Sequence, residues 1–133
     1  MANYLLDTTV IIDCLRGRKG VVDFLTQLAS EGSTCGCCAI NVTEVYAGMR
    51  ETERQVTKKF LDSLEYYEVT RNLAGLAGEY KREYAGKGIT LSLSDVIIAA
   101  VTISNNLILV TDNLRNYPMP ELNIKQIEAG SRG

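Results

Sequence analysis

The sequence predicts an α/β domain with a mainly parallel central sheet of four to five strands. Two features point there. Short apolar runs alternate with amphipathic stretches at helical spacing, the pattern of strand–helix–strand units. The composition, 46% hydrophobic and 23% charged over 133 residues, suits one ordinary globular domain with a sizeable core. No internal repeat, linker or low-complexity segment interrupts it.

Asn3-Tyr-Leu-Leu6 reads as the first strand, ending at Asp7. A helix follows from Thr8 to Arg16, with Val10, Ile11, Cys14 and Leu15 on one face and Gly17 as its stop. A second runs from about Gly20 to Ser30 through Val21, Phe24, Leu25 and Leu28. Ser33 to Ala39 is the second strand. Asn41 opens the next helix, carrying Glu44 one turn in, with Val45, Tyr46 and Met49 apolar. Thr52 to Leu64 is predicted helical, buried through Val56, Phe60, Leu61 and Leu64, and Tyr66 to Val69 is a short strand. Asn72 to about Ala85 forms a helix broken by Gly86-Lys-Gly88. Ser94-Asp95 starts a strongly apolar helix through Ile103, expected at the centre of the fold. Leu107 to Thr111 is the fourth strand, and a loop from Asp112 to Pro120 leads to a weak strand near Asn123 to Ile127. Residues 1–128 are expected to form the domain and 129–133 a frayed tail.

The chain has no histidine. That removes Ser-His-Asp and Cys-His nucleophiles, imidazole acid–base catalysis and His-ligated zinc. Carboxylates with a hard cation are the natural alternative for an enzyme. The net charge of −2 offers no global basic field for nucleic acid. Such a field is dispensable where a phosphodiester is held through a cation. Three of the four cysteines crowd into Thr34-Cys-Gly-Cys-Cys-Ala39, an apolar strand, so they read as small buried hydrophobes rather than redox or zinc residues. Free thiols, and the lack of a secretory start or membrane-length apolar run, lead us to expect a cytoplasmic protein.

Four acids occupy equivalent places in the pattern. Asp7 follows strand one, Glu44 lies in the helix after strand two, Asp95 begins the central helix, and Asp112 follows strand four. In a parallel sheet, strand ends and following helix starts share one edge, where ligands bind. Each acid also has a plain structural reading. Asp7 is a respectable helix cap, Asp95 suits a helix dipole, Asn41 with Glu44 makes a capping-box-like pair, and Asp112-Asn113 is turn chemistry. Four carboxylates converging on one edge would repel one another unless a cation neutralised them. The two readings are compatible.

These residues resemble the PIN-domain family, in particular the VapC-type toxins of toxin–antitoxin (VapBC) pairs. The resemblance rests on Tyr4-Leu-Leu-Asp-Thr-Thr-Val-Ile-Ile-Asp13, Ile40-Asn-Val-Thr-Glu-Val-Tyr-Ala-Gly48, Leu93-Ser-Asp-Val-Ile-Ile-Ala-Ala100 and Leu109-Val-Thr-Asp-Asn113, in the expected order. It implies a PIN-like three-layer α/β/α fold and hydrolysis of RNA phosphodiesters with Mg²⁺ or Mn²⁺. Asp7, Glu44 and Asp95 would be the main catalytic and metal-binding acids, with Thr8 and Thr111 as supporting hydroxyls. The family often places an Asp-Phe pair where this chain has Asn116-Tyr117, so either Asp112 supplies a fourth carboxylate or Asn113 replaces it with an amide. The resemblance further implies a VapB-type antitoxin and a homodimer.

Three other readings remain. A non-toxin RNA-processing nuclease of the same fold is the nearest. A non-catalytic PIN-like scaffold usually loses such carboxylates. A phosphatase or phosphoacceptor domain would show Asp-x-Asp-x-Thr or a strand-end lysine, whereas this chain has Asp7-Thr-Thr and Thr111-Asp-Asn.

Overall fold

Consecutive residues of a strand point to opposite faces, so a strand covered on both sides must be apolar at every position. The inner strands of this chain meet that demand toward their C-terminal ends. In the computed structural model, which describes residues 2–128, Leu5 and Leu109 enter one core and their neighbours Leu6 and Val110 the other. Cys38 and Cys37 divide in the same way, which bears out their reading as small apolar side chains.

The elements are β1 (Asn3–Leu6), α1 (Thr8–Leu15), α2 (Lys19–Ser30), β2 (Thr34–Cys38), α3 (Ala39–Gly48), α4 (Arg54–Asp62), β3 (Glu65–Tyr67), α5 (Arg71–Gly86), α6 (Leu93–Ser104), β4 (Ile108–Thr111) and β5 (Asn123–Gln126). Short 3₁₀ turns at Glu51–Glu53 and Leu114–Asn116 complete the order. All four strand pairings are parallel, in the order β3-β2-β1-β4-β5. Residues of α1 to α4 form the core on one face; α5 and α6 cover the other. This is the expected three-layer arrangement, with five strands and no antiparallel member among the described residues.

Chain order runs outward from β1 in one direction to β2 and β3, and from β4 in the other to β5. The reversal between β1 and β4 opens a crevice at their C-terminal ends, the usual ligand position of such sheets. The Asp7 N–H bonds the Val110 carbonyl at 2.9 Å, extending the β1–β4 ladder to the crevice itself.

α6 is held centrally by buried Val96, Ile98, Ala99, Ala100, Val101 and Thr102. Ser92 caps it, accepting from the Asp95 N–H at 3.1 Å, so the helix begins at Leu93, one residue before the Ser94 start expected from sequence. β2 has its own constraint at Gly36. A Cβ there would collide with the Tyr67 ring and lie 2.9 Å from the Glu65 carbonyl, so β3 can pack this closely only against glycine.

Two expectations need correction. α3 starts at Ala39, with Cys38 as its cap, so Asn41 is an internal residue and does not pair with Glu44 in a capping box. The Asn41 side chain instead reaches back to the Cys38 N–H. The helix expected from Thr52 to Leu64 is a 3₁₀ turn followed by α4, and Val56 is 63% exposed rather than buried. The short α4 turns Thr57 and Leu61 inward in its place. The tail expected at 129–133 lies outside the described residues. Among the described residues no helix is long and apolar enough to cross a membrane.

Candidate active site

The sharp exit from β1 into α1 places Asp7 at the crevice with extended backbone, as the helix N-cap. The residue is 6% exposed, and both carboxylate oxygens are engaged. Oδ1 accepts from the Thr8 N–H at 2.7 Å and Oδ2 from the Thr111 hydroxyl at 2.8 Å. Thr111 ends β4, so the two strands flanking the crevice are tied through this pair. Its hydroxyl also accepts from the Asn113 N–H at 3.1 Å, so Asn113 supports the site through its backbone.

Glu44 enters from the second turn of α3. Its Oε1 accepts from the Thr8 hydroxyl at 2.6 Å and its Oε2 from the Ser94 hydroxyl at 2.9 Å. Asp95, in the first turn of α6, accepts from the Tyr117 hydroxyl at 3.2 Å. Asp112 accepts from the Thr9 hydroxyl at 3.2 Å, at a more open part of the site.

All four acids line one cavity of about 460 Å³, together with Thr8, Thr9, Asn113 and Asn116. Among the described residues, no lysine or arginine is in its wall. The consequences show in the acids themselves. Burial pushes the Asp7 carboxyl above the ordinary aspartate range, against hydrogen bonds from Thr111, Tyr117 and Thr8, and the nearby Asp95 charge adds to the rise. Burial likewise raises Asp95, opposed by Ser92 and Tyr117 and reinforced by Glu44. Tyr117 is 3% exposed and faces both aspartates. Its burial and their charges drive the phenol far above its usual range, so it remains a proton donor to them.

The donors around the cavity are carboxylates, hydroxyls and amides, which suit a hard divalent cation rather than zinc or copper. Among the described residues no three acids close into a finished ligand set, so they border the cavity rather than converge on one point. The chemistry of the donors fits a cation; its seating requires side-chain adjustment. A second, mostly apolar groove of about 260 Å³ lies beside the first, sharing Ile12 and lined also by Leu15, Val45, Met49 and Val56. It lacks a cluster of acids and cannot perform the same chemistry.

The structure therefore brings Asp7, Glu44, Asp95, Asp112, Thr8, Thr111 and Asn113 to one crevice. Sequence reasoning missed Ser94, Tyr117 and the role of Asn41. Ser94 stood next to Asp95 in a motif already singled out. Nothing in local spacing shows that Tyr117, on a loop, folds back over two aspartates.

A family model of the PIN domain matches residues 4–119. The chain belongs to the PIN-domain family. Among curated members, "Ribonuclease VapC19" of Mycobacterium tuberculosis is 31% identical over 119 residues, covering 89% of this chain and 95% of the relative. "Ribonuclease VapC2" of Haemophilus influenzae is 29% identical, covering 88% and 91%. A chain of the Rickettsia felis VapBC2 complex, bound to a DNA fragment from its promoter, superposes with a TM-score of 0.81. It covers 95% of this PIN domain and 99% of that chain at 23% identity, a likeness of fold. In this PIN domain the crevice between β1 and β4 is thus an acidic chamber built from four elements, each held by at least one hydroxyl.

Proposed function

We propose that residues 1–128 form a divalent-metal-dependent endoribonuclease, the toxin of a toxin–antitoxin pair, working at the acidic crevice. One observation carries the reading: four carboxylates from separate parts of the chain line one cavity, whose wall, among the described residues, holds no basic side chain. A phosphodiester could not approach such a wall unaided, because like charges repel. The names of the relatives supply the substrate class, since the similar M. tuberculosis and H. influenzae proteins are ribonucleases.

Asp7 and Asp95 would hold the cation, with Glu44 bound directly or through water and Asp112 or Asn113 completing the set. Mg²⁺ or Mn²⁺, when bound there, supplies Lewis-acid charge and makes water a competent nucleophile near neutral pH. The protein's own part is positioning. Thr111 and the Thr8 N–H fix the plane of Asp7, while Thr8 and Ser94 grip Glu44 from α1 and α6. Tyr117, buried and outside the cavity wall, donates its hydroxyl to Asp95 and so fixes that carboxylate. The net reaction joins a water oxygen to phosphorus and breaks the bond to the 3′ oxygen, leaving a 5′ phosphate and a 3′ hydroxyl.

Similar solved structures include the VapBC complexes of Rickettsia felis and Salmonella typhimurium, which supports a VapB-type antitoxin as partner of this chain. The resemblance adds a second copy of the chain, to be checked by light scattering. An RNA target and the four free thiols fit the cytoplasmic placement. The test is incubation of the purified chain with total RNA and Mn²⁺, beside an EDTA control. Cutting that EDTA stops is expected. Intact RNA under both conditions would leave the chain a binding scaffold.

A further inference from the structure

Buried amides must satisfy their polar atoms, and their partners then dictate which end is oxygen and which nitrogen. Asn41 is 0% exposed and lies behind the acidic chamber rather than in its wall. Its Oδ1 accepts from the Cys38 N–H at 2.8 Å, and its Nδ2 donates to the Leu6 carbonyl at 3.2 Å. A backbone N–H on one side and a backbone carbonyl on the other allow only one orientation of the amide.

That orientation has a consequence one bond further on. The Asn41 Nδ2 also donates to the Thr8 hydroxyl oxygen, at 3.0 Å. A hydroxyl that receives a proton from one neighbour turns its own proton toward another. For Thr8 that neighbour is Glu44 Oε1, 2.6 Å away. We propose that Asn41 is a positioning residue of the active site, whose amide forces the Thr8 hydroxyl to act as donor to Glu44 and so orients that carboxylate toward the chamber. The inference rests on the metal-nuclease reading. Asn41 is not in the chamber wall; it acts on Glu44 through the Thr8 hydroxyl. The order of atoms runs from the ends of β1 and β2, through Asn41 and Thr8, to Glu44, with Ser94 gripping the other Glu44 oxygen from α6. Two strand ends thereby set the pose of a side chain on a helix.

A capping role alone makes a different prediction, because Asn41 also caps the start of α3. The experiment is therefore a double-mutant cycle read by calorimetric titration with Mn²⁺ alone, without RNA. The proteins are the parent, Asn41→Leu, Thr8→Val and the pair. Asn41→Leu is expected to weaken Mn²⁺ binding about tenfold or more, the usual cost of losing a partner behind a metal ligand. In the Thr8→Val background the same change should alter binding by less than about twofold. With Ser94→Ala, which acts on the other oxygen, the two losses should multiply. If Asn41→Leu does not fold, Asn41→Ser takes its place, one bond shorter and still able to accept from Cys38. Equal loss with and without the Thr8 hydroxyl, or unchanged Mn²⁺ affinity, overturns the proposal while leaving the nuclease reading intact. A parent protein that binds no Mn²⁺ and cuts no RNA overturns both.

Discussion

Thr111 and Asp7, 104 residues apart in the chain, meet through a 2.8 Å hydrogen bond that joins the ends of β4 and β1 across the crevice. The bond places a hydroxyl proton on a carboxylate almost closed off from water. It ties the sheet's topology directly to its chemistry, since the parallel pairing of β1 and β4 brings these two side chains together.

Thr111→Val keeps the shape and removes the donor. Leaving a buried carboxylate short of a partner costs about 1–3 kcal/mol. Urea unfolding should therefore show a loss of that size at neutral pH, together with weaker Mn²⁺ binding. Unchanged stability would mean that Asp7 finds its partners elsewhere.

Tyr117→Phe removes the hydroxyl that faces Asp95 and Asp7 while keeping the buried ring. A stability change of about 1 kcal/mol is expected. Cleavage should fall about tenfold with KM little changed, because the hydroxyl positions metal ligands rather than RNA. A rise in KM at constant kcat would instead place Tyr117 in substrate binding.

Asp112 and Asn113 can be separated by paired variants. Asp112 bonds Thr9 at the open part of the site, whereas Asn113 supports Thr111 through its backbone. Asp112→Ala should lower kcat or metal affinity about tenfold, and Asn113→Ala should lower them less. The reverse order would make the Asn113 amide the group that completes the set.

Metal and pH should be linked through Asp7 and Asp95. Both carboxyls are raised above the ordinary value of 3.8, chiefly by burial. A raised folded pKa favours the native state while the group is protonated. That contribution fades as pH climbs from 3.8 through the folded value. A divalent cation binds the deprotonated acids, so its stabilisation should appear over the same window. At a hundred times its Kd it should add about 2.7 kcal/mol near neutral pH, several degrees in Tm, and little near pH 4. A shift independent of pH would place the cation away from these aspartates.

The sheet was legible because its inner strands, buried on both faces, must be apolar, and the first three strands are each followed by a helical period. The acids were legible because strand ends and helix starts share an edge. The errors have local causes. Asn41 looked like a cap because Asn at a helix start usually is one, but a strand running straight into α3 moved the start back to Ala39. Val56 fitted a helical stripe, yet the 3₁₀ turn before α4 rotated it outward. Tyr117 sits on a loop whose path depends on tertiary packing, so no periodicity could place it over Asp7 and Asp95.

The central claim is that the acidic crevice itself cuts RNA. The most direct measurement compares RNA cleavage in Mn²⁺ by the parent chain and by Asp7→Asn and Asp95→Asn, each first shown to melt as a folded protein. Cleavage by the parent alone, with both variants folded and inactive, is the predicted result. A folded Asp7→Asn or Asp95→Asn protein that cuts RNA at the parent's rate would contradict it.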